Sequence, residues 1–369
     1  MSTRSGPLTH LRVLEIESIG PGPFAGMLLA DLGADVIRVD RPMGAPLGLG
    51  DAGDLFGRGK RSITLDLKNT EDQRIARRLA RGVDVLIEGL RPGVMERLGL
   101  GPEVLRADNL RLVYARVTGY GQDGPLAERA GHDANYLALS GALGMIGTAE
   151  RSVLPHNLLA DFGGGGMLLV VGVLAALAHV ARTGEGQVVD ASMVDGVALL
   201  STMTYTLKHL GLFHDGRGGN LFDGTAPFYS IYTTRCGGQY VLGAVEPQFL
   251  SAFLQAASID VAAFGNPMDP SQWPAQRAML AEVFTQKSRA EWDALLAGKD
   301  TCASPVLSFA EAEAHPHNRA RQTYVEVAGK IQPNTAPRFS ATPGRVGEAP
   351  ARGANREEIL AELDTREGA

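Results

Sequence analysis

Two residues of complementary acid–base character, His132 and Asp161, each stand among small residues just before an apolar run. His132 lies in "RAGHDANYLALSG" and Asp161 in "LLADFGGGGMLLVV". An imidazole and a carboxylate can move protons to and from a carbon acid, each transfer contributing about 10²–10⁴-fold to the rate. The N–H groups at a helix start can also hold an anionic oxygen. Purely structural roles fit the residues as well, with Asp161 or Asp133 as helix caps and the glycines admitting a neighbouring helix.

A first glycine cluster, "ESIGPGPFAGMLLADLGADVIRVD", follows a strand pattern and opens a helix, with Asp40 closing the next strand. This order is similar to a dinucleotide-binding turn. However, the spacing of Gly20, Gly22 and Gly26 is GxGxxxG, and two prolines remove N–H donors where a pyrophosphate would bind. A tight βα turn with close helix packing is therefore favoured over a nicotinamide site.

Basic residues collect near the ends of the first predicted elements, although the 369-residue chain carries a net charge of -6. Ligands of open α/β sheets bind at the carboxyl ends of the strands. The grouping thus indicates a phosphorylated ligand, with scattered solvated arginines as the alternative. The residues concerned are Arg38, Arg41, Arg58, Lys60, Arg61, Lys68, Arg91 and Arg97.

Other candidate groups carry weaker signals. Glu246 in "LGAVEPQFL" follows a strand pattern, and a solvated turn carboxylate is its ordinary fate. His315 and His317 in "HPHNRAR" lack further metal ligands at a suitable spacing, so we expect the start of a surface helix. Cys236 and Cys302 form neither a disulfide framework nor a zinc motif. No metal site is predicted.

The pattern of elements predicts an α/β fold. Residues 11–125 alternate β-branched runs with amphipathic helices, which is typical of a Rossmann-like parallel sheet. We expect a large domain over 1–200 and 330–369, a small α+β domain over 225–325, and linkers at 201–224 and 326–329. The negative charge gives no general attraction to nucleic acid or to anionic membranes.

The uncharged run 162–178 is the one stretch similar to a membrane span. Four glycines begin it, and His179 and Arg182 follow it, so we expect a buried helix and no membrane association. The N-terminus lacks a signal-peptide pattern, "TREGA" is not a peroxisomal signal, and cysteines are few. These features favour a cytoplasmic protein.

Several motifs in fixed order are similar to those of the family III CoA-transferases and, within them, most closely the α-methylacyl-CoA racemases. They include "GPGPFAGMLLADLGADVIRVDRP", "GRGKRSITLDLK", "DVLIEGLRPGVMERLGLGPE", "AGHDANYLALSG", "LADFGGGG" and "GAVEPQF". The similarity runs from about residue 8 to about 340. The insert 43–57 matches nothing we can place, and Thr225 stands where relatives have glycine.

The resemblance implies an interlocked homodimer and an acyl-CoA substrate, with no cofactor beyond the coenzyme A of that substrate. It implies that His132 and Asp161 are the two catalytic bases, assisted by Glu246 from the small domain. It also implies a set of coenzyme-binding residues: Arg41, Leu65, Asp66, Leu67, Lys68, Gly89, Leu90, Arg91, Arg97, Ala130, Gly131, Asp133, Ala134, Asn135 and Tyr136.

The expected activity is interconversion of (R)- and (S)-2-methylacyl-CoA by 1,1-proton transfer through an enolate. The alternative within the family is a CoA-transferase in which Asp161 attacks the thioester as a nucleophile. The histidine of the "GHD" motif favours the racemase, because a transferase needs no second base. A nicotinamide-dependent oxidoreductase or a nucleotide-binding module is a more distant alternative.

Overall fold

A computed structural model describes residues 4–43 and 54–367 of the chain. Most of the unmatched insert 43–57, namely residues 44–53, lies outside this description. The chain folds into two compact units. The first contains Met1–Ser140, Pro155–Leu200 and Arg319–Ala369, and the second contains Gly141–Leu154 and Ser201–Asn318.

The centre of the first unit is a six-stranded, wholly parallel sheet with the order β3-β2-β1-β4-β5-β6. Val and Ile are frequent in these strands, as pleated and buried backbone favours. The predicted parallel α/β sheet is confirmed. The order reverses between β1 and β4, which marks the usual ligand-binding crevice of such sheets. The strands are β1 (Arg12–Ile16), β2 (Asp35–Asp40), β3 (Arg61–Thr64), β4 (Val85–Glu88), β5 (Val113–Thr118) and β6 (Val188–Ser192).

Helices cover both faces of the sheet and bury two separate apolar clusters. One face receives α2, α3, α4 and the last helix, and the other receives α1 and α6. A hairpin of β10 (Tyr324–Val327) and β11 (Lys330–Pro333) precedes the last helix. The helices are α1 (Pro21–Asp31), α2 (Thr70–Arg81), α3 (Val94–Arg97), α4 (Pro102–Asp108), α5 (Asp133–Leu139), α6 (Leu168–Thr183), α7 (Met193–Leu200) and α15 (Arg356–Glu367).

A π-helical segment, Leu158–Met167, runs directly into α6. The continuous helix Leu158–Thr183 is long and apolar enough to cross a membrane, with a mean hydropathy of 2.0. One side packs against the sheet through Leu169, Val173 and Val180, as in the core helix of a globular protein. The opposite side exposes Met167 and Val171.

The second unit has its own antiparallel sheet and an aromatic core. Tyr232, Phe253 and Trp292 surround Phe284, with ring centroids 4.8–5.4 Å from it. Its strands are β7 (Tyr229–Thr233), β8 (Gln239–Gly243) and β9 (Ala303–Pro305). The remaining helices are α8 (Thr202–His209), α9 (Pro247–Ala256), α10 (Val261–Phe264), α11 (Trp273–Thr285), α12 (Arg289–Leu296), α13 (Phe309–Ala314) and α14 (Pro316–Ala320).

The boundaries of these units differ from the predicted ones. Segment 201–224, predicted as a linker, belongs to the second unit and begins with α8. Arg217 donates hydrogen bonds of 2.8 Å to the carbonyls of Gly144 and Thr148, which joins this segment to Gly141–Leu154. The first unit resumes at Arg319, earlier than the predicted 330.

Candidate active site

Asp161 lies in the first turn of the π-helical segment, close to the point where the strand order reverses. A Cβ added at Gly20, between β1 and α1, would lie 3.3 Å from Oδ2 of Asp161. The same Oδ2 accepts a 3.1 Å hydrogen bond from Nδ2 of Asn157. The carboxylate is therefore held at the carboxyl edge of the sheet, beside the start of α1.

The glycine run after Asp161 allows two helices, α1 and α7, to approach the π-helical backbone. Added Cβ atoms would lie 2.9 Å from the main-chain N of Val197 at Gly164, 3.0 Å from Pro21 at Gly165 and 2.6 Å from Phe24 at Gly166. Side chains at these positions would force α1 and α7 away from the segment. The glycines therefore serve packing around Asp161, and π-helical turns are frequent at functional sites.

His132 is exposed and stands at the residue before α5. Its main-chain N–H donates to Oδ1 of Asn135 at 3.0 Å, which caps the helix. Tyr136 is buried, donates a short hydrogen bond to the carbonyl of Gly131, and packs edge-on against Tyr120. These contacts fix the main chain around His132 and leave the imidazole accessible.

Asp133 connects the two candidate bases. Its buried carboxylate accepts hydrogen bonds from the main-chain N–H groups of Ala160, at 2.8 Å, and Asp161, at 2.9 Å. The interpretation of Asp133 as the cap of its own helix is therefore wrong, because the residue before α5 is His132. The interpretation of Asp161 as an N-cap is also wrong, because Asn157 holds that position in the π-helical segment. The N–H of Asp161 is also already bonded, so it is not free to hold an anionic ligand oxygen as the sequence suggested.

The environment of Asp161 raises the pKa of its carboxyl group above the usual value of 3.8. Burial is the largest cause, and the negative charge of Asp133 adds to it. The hydrogen bond from Asn157 and the nearby His132 act in the opposite direction on this pKa. A carboxyl group with a raised pKa is suited to general acid–base catalysis, because both protonation states become accessible nearer to neutral pH.

The predicted basic group separates into two sets with different environments. Four members form buried or half-buried ion pairs within the first unit: Arg38 with Asp40 and Asp54, Arg58 with Asp31, Lys60 with Glu15, and Arg61 with Asp35 and Glu362. Lys60 and Glu15 are completely buried, with a separation of 2.6 Å. These four cations are paired with carboxylates inside the fold and are therefore not available to a ligand.

The other four cations, Arg41, Lys68, Arg91 and Arg97, are exposed. They follow β2, β3 and β4 or end α3, so they lie at or beyond the carboxyl ends of these strands. The predicted segment Leu65–Lys68 turns from β3 towards α2, with the N–H of Lys68 donating to Oδ1 of Asp66 at 3.0 Å. Within Gly89–Arg91, the N–H of Leu90 donates to the buried Glu88 at 2.7 Å.

The remaining predicted coenzyme residues surround His132. Ala130 and Asn135 are exposed, Gly131 and Ala134 are partly exposed, and the side chains of Asp133 and Tyr136 are engaged as described above. The first unit has a cleft of about 520 Å³, within the size range of ligand pockets. In the sequence, its lining residues come after the predicted coenzyme segment Gly89–Arg91 and before the one that starts at Ala130. Its lining residues are Pro92, Gln122, Asp123, Gly124, Pro125, Ala127, Glu128 and Arg129.

Glu246 belongs to the second unit, where it is exposed and immediately precedes α9. His315 and His317 lie where α13 ends and α14 begins, as expected. Within residues 4–43 and 54–367, no three His, Cys, Asp or Glu side chains are grouped so that they could hold a metal ion.

The turn after β1 has the packing role that was favoured. A Cβ at Gly26 would lie 1.8 Å from Oε2 of Glu15, so only glycine allows α1 to approach the strand. Asp40, the residue that would bind a ribose in a dinucleotide site, is buried and bonded to Ser62 and Arg38. The local structure therefore does not favour a nicotinamide site here.

Sequence reasoning missed three residues at the site. Asn157 could have been found, because it precedes Asp161 by four residues, which places both on one helix face. Glu17 and Arg352 contact the main chain of Arg41. No local pattern announces this contact, because the two residues are far apart in the sequence.

Comparison with known proteins identifies the family of the chain. The sequence model of CoA-transferase family III matches residues 8–356. The alpha-methylacyl-CoA racemase of Mus musculus is 45% identical over 339 residues, covering 91% of this chain and 87% of the relative. The alpha-methylacyl-CoA racemase of Homo sapiens is 43% identical over 362 residues, covering 96% and 93%. A crystal structure of a CAIB/BAIF family protein from Brucella suis superposes with a TM-score of 0.85 at 29% identity, covering 98% and 100% of the two chains. The chain belongs to CoA-transferase family III.

Proposed function

We propose that this chain is a racemase that interconverts the (R) and (S) epimers of 2-methylacyl-CoA thioesters. The observation that carries the proposal is the connection between the two candidate bases. His132 directly precedes Asp133, and the carboxylate of Asp133 holds the main-chain N–H of Asp161 at 2.9 Å. Racemase relatives at 43–45% identity over nearly the whole chain support the same activity.

The proposed reaction is a 1,1-proton transfer. One base removes the α-proton of the thioester, and the electron pair of the C–H bond moves into an enolate. The conjugate acid of the other base then delivers a proton to the opposite face of the planar carbon. In one direction neutral His132 accepts and protonated Asp161 donates, and in the other direction the roles reverse. The raised pKa of Asp161 favours the protonated form that one direction requires.

The enolate oxygen needs a hydrogen-bond donor as negative charge develops. The N–H groups of Ala160 and Asp161 are bonded to Asp133, so they do not supply it in this arrangement. The first N–H groups of a helix have no partner in a preceding helical turn. In α5, those of Asn135 and Tyr136 donate to the carbonyl of His132, which leaves the main-chain N–H groups of Asp133 and Ala134, directly after His132. We assign the oxyanion contact to them. The assisting role of Glu246 stays a prediction from the family resemblance.

Coenzyme A is proposed to bind along the carboxyl edge of the sheet through Arg41, Lys68, Arg91 and Arg97. Their exposure and their positions after successive strands support this assignment. Because two side chains can perform both proton transfers, the reaction needs no resident metal, flavin or nicotinamide.

We further propose that the protein is a homodimer of the interlocked family type, with a large Rossmann-like and a small α+β domain. Large apolar side chains exposed on each unit support an interface between copies of the chain. In the first unit these are Leu158, Met167, Val171, Leu174, Leu199 and Leu200, and in the second Met203, Tyr205, Leu210 and Leu212. Two unpaired cysteines agree with the proposed cytoplasmic location.

The test is incubation with an (R)-2-methylacyl-CoA in D₂O, without added carboxylic acid. We expect deuterium at the α-carbon together with the (S) epimer. His132→Ala and Asp161→Ala should each abolish epimerisation while CoA still binds, as measured by calorimetry. Near-normal epimerisation by either variant would contradict the two-base assignment.

The same incubation with a carboxylic acid added tests the transferase alternative. If no α-proton exchanges, but an added carboxylate becomes a CoA thioester, Asp161 is a nucleophile. The observation that favours the transferase is the partly exposed carboxylate of Asp161, which a thioester can reach. If hydroxylamine then traps an acyl group on Asp161, the protein is a CoA-transferase and the racemase proposal is refuted.

A further inference from the structure

The C-terminal part of the chain returns to the carboxyl edge of the sheet. Residues 352–356, here named the C-terminal clasp, bind along β3. The N–H of Gly353 donates to Oγ of Ser62 at 2.6 Å, and the N–H of Asn355 donates to the carbonyl of Ser62 at 2.9 Å. In return, the N–H of Ser62 donates to Oδ1 of Asn355 at 3.0 Å, and Arg356 bonds the carbonyl of Thr64. The clasp is therefore fixed to the strand that leads into Leu65–Lys68.

Arg352, the first residue of the clasp, reaches the neighbouring strand end. Its Nη2 lies 2.9 Å from Oε1 of Glu17 and its Nη1 lies 3.3 Å from Oε2, so the pair is bidentate. The same Nη1 donates to the carbonyl of Arg41 at 2.9 Å. Oε2 of Glu17 accepts the N–H of Arg41 at 2.7 Å. Both main-chain polar groups of Arg41 are thus held by one pair of side chains.

The exposure of the three residues separates their roles. The side chains of Arg352 and Glu17 are 13% and 8% exposed, whereas that of Arg41 is 54% exposed. Oε2 of Glu17 lies 3.8 Å from Nε of Arg41. A carboxylate in a desolvated position attracts a nearby cation strongly. Without Arg352, Glu17 would draw the guanidinium of Arg41 towards itself and away from an anionic ligand.

We propose that Arg352 is a positioning residue for acyl-CoA. It neutralises Glu17 and fixes the main chain of Arg41, so that the Arg41 guanidinium remains directed towards a phosphate of the coenzyme. This inference rests on the proposed function, because it takes the coenzyme site to include Arg41. Fixing the loop before binding reduces the ordering cost that the ligand must offset.

The test variant is Arg352→Met, which keeps most of the side-chain length and removes the guanidinium. We expect the KM for 2-methylacyl-CoA to rise about tenfold, equivalent to ~1.4 kcal/mol, with kcat changed less than about twofold. The thioester of pantetheine lacks the nucleotide phosphates, so its kcat/KM should be unchanged. Equal losses with both thioesters would overturn the proposal, because they would indicate a general structural defect.

Arg78→Met is the matched control. Arg78 pairs with Asp364 at 2.8 Å and so also anchors the C-terminal helix. It lines a cleft with Arg12, the first residue of β1, at the amino end of that strand, whereas Arg41 follows the carboxyl end of β2. The KM of the Arg78→Met variant for 2-methylacyl-CoA should stay at the wild-type value. Arg352→Lys retains the positive charge without the bidentate geometry, and we expect an intermediate KM. It also serves as the working variant where Arg352→Met does not fold.

A double-mutant cycle with Arg41→Ala shows whether Arg352 acts through Arg41. If it does, Arg352→Met adds no further increase in KM in the Arg41→Ala background. If the KM increases of the two single variants multiply in the double variant, the proposal is overturned, because Arg352 then acts independently of Arg41. Calorimetric Kd values for CoA give the same cycle without turnover. If the wild-type protein binds CoA but does not epimerise the substrate, the racemase proposal is refuted, and the Kd cycle still tests the role of Arg352. If the wild-type protein does not bind CoA, the racemase proposal and the proposal for Arg352 are both refuted.

Discussion

Replacement of Asp133 by asparagine tests the connection between the two candidate bases. The carboxylate accepts two main-chain hydrogen bonds, at 2.8 and 2.9 Å, in a buried position. Hydrogen bonds to charged groups contribute about 1.5–3 kcal/mol each and neutral ones about 0.5–1.5 kcal/mol. Both N–H groups donate to the same oxygen, Oδ2, so asparagine can keep both bonds but makes them neutral, and its amide NH₂ would have to be buried in place of the other oxygen. We therefore expect Asp133→Asn to lower the free energy of unfolding by about 2–4 kcal/mol.

The same substitution has a second, independent effect. The charge of Asp133 contributes to the raised pKa of Asp161, so its removal lowers that pKa. The limb of the pH–rate profile that reports Asp161 should therefore move to lower pH. Loss of stability alone would not move this limb.

The assays are urea denaturation at pH 7 and the pH dependence of α-deuterium incorporation. Asp260→Asn is the control, because Asp260 is exposed and accepts one N–H, that of Ala262, at 3.0 Å. It should change the unfolding free energy by less than about 0.5 kcal/mol. If Asp133→Asn behaves like this control, or if the limb stays in place or moves to higher pH, the reasoning about Asp133 is refuted.

Three further predictions follow from individual contacts. Asp161→Asn should raise the Tm at pH 7, because a folded-state pKa above 3.8 makes ionisation of Asp161 destabilising as pH rises through that window; thermal scans should show the difference shrinking as pH falls towards 3.8. Lys60→Met leaves Glu15 buried without its partner and should cost about 3–5 kcal/mol in urea denaturation, and an unchanged midpoint would contradict the structural role of this pair. Arg41→Ala and Arg97→Ala should each raise the KM for acyl-CoA with a smaller effect on kcat in steady-state kinetics, and an unchanged KM would remove that residue from the coenzyme site.

The fold could be predicted where local sequence determines it. The β-branched runs before and after "GPGPFAGMLLADLG" indicate buried parallel strands, and the two prolines of that turn argued against a dinucleotide. The close approach of Gly26 to Glu15 shows why the glycine is needed. Periodicity and turn chemistry act over a few residues, so they can be recognised without knowledge of the tertiary structure.

The division of the basic residues could not be predicted in this way. Arg38 and Arg41 are separated by two residues, yet one is buried against Asp40 and Asp54 while the other is exposed. Whether a given arginine forms a buried ion pair depends on where the fold places carboxylates that are not its neighbours in the sequence. The role of Asp133 was missed for the same reason, because its partners begin 27 residues later in the chain.

The last helix has a consequence for the synthesis of the protein. Ile359 and Leu363 of α15 complete the apolar cluster that covers one face of the sheet, together with residues of β1 to β5. At about 5–20 residues per second, the ribosome completes α15 on the order of 10–30 s after β6. During this interval the nascent sheet presents an unfilled apolar surface. The first strands made therefore stay partly uncovered until α15 has been synthesised, and the growing chain is exposed to aggregation during this interval.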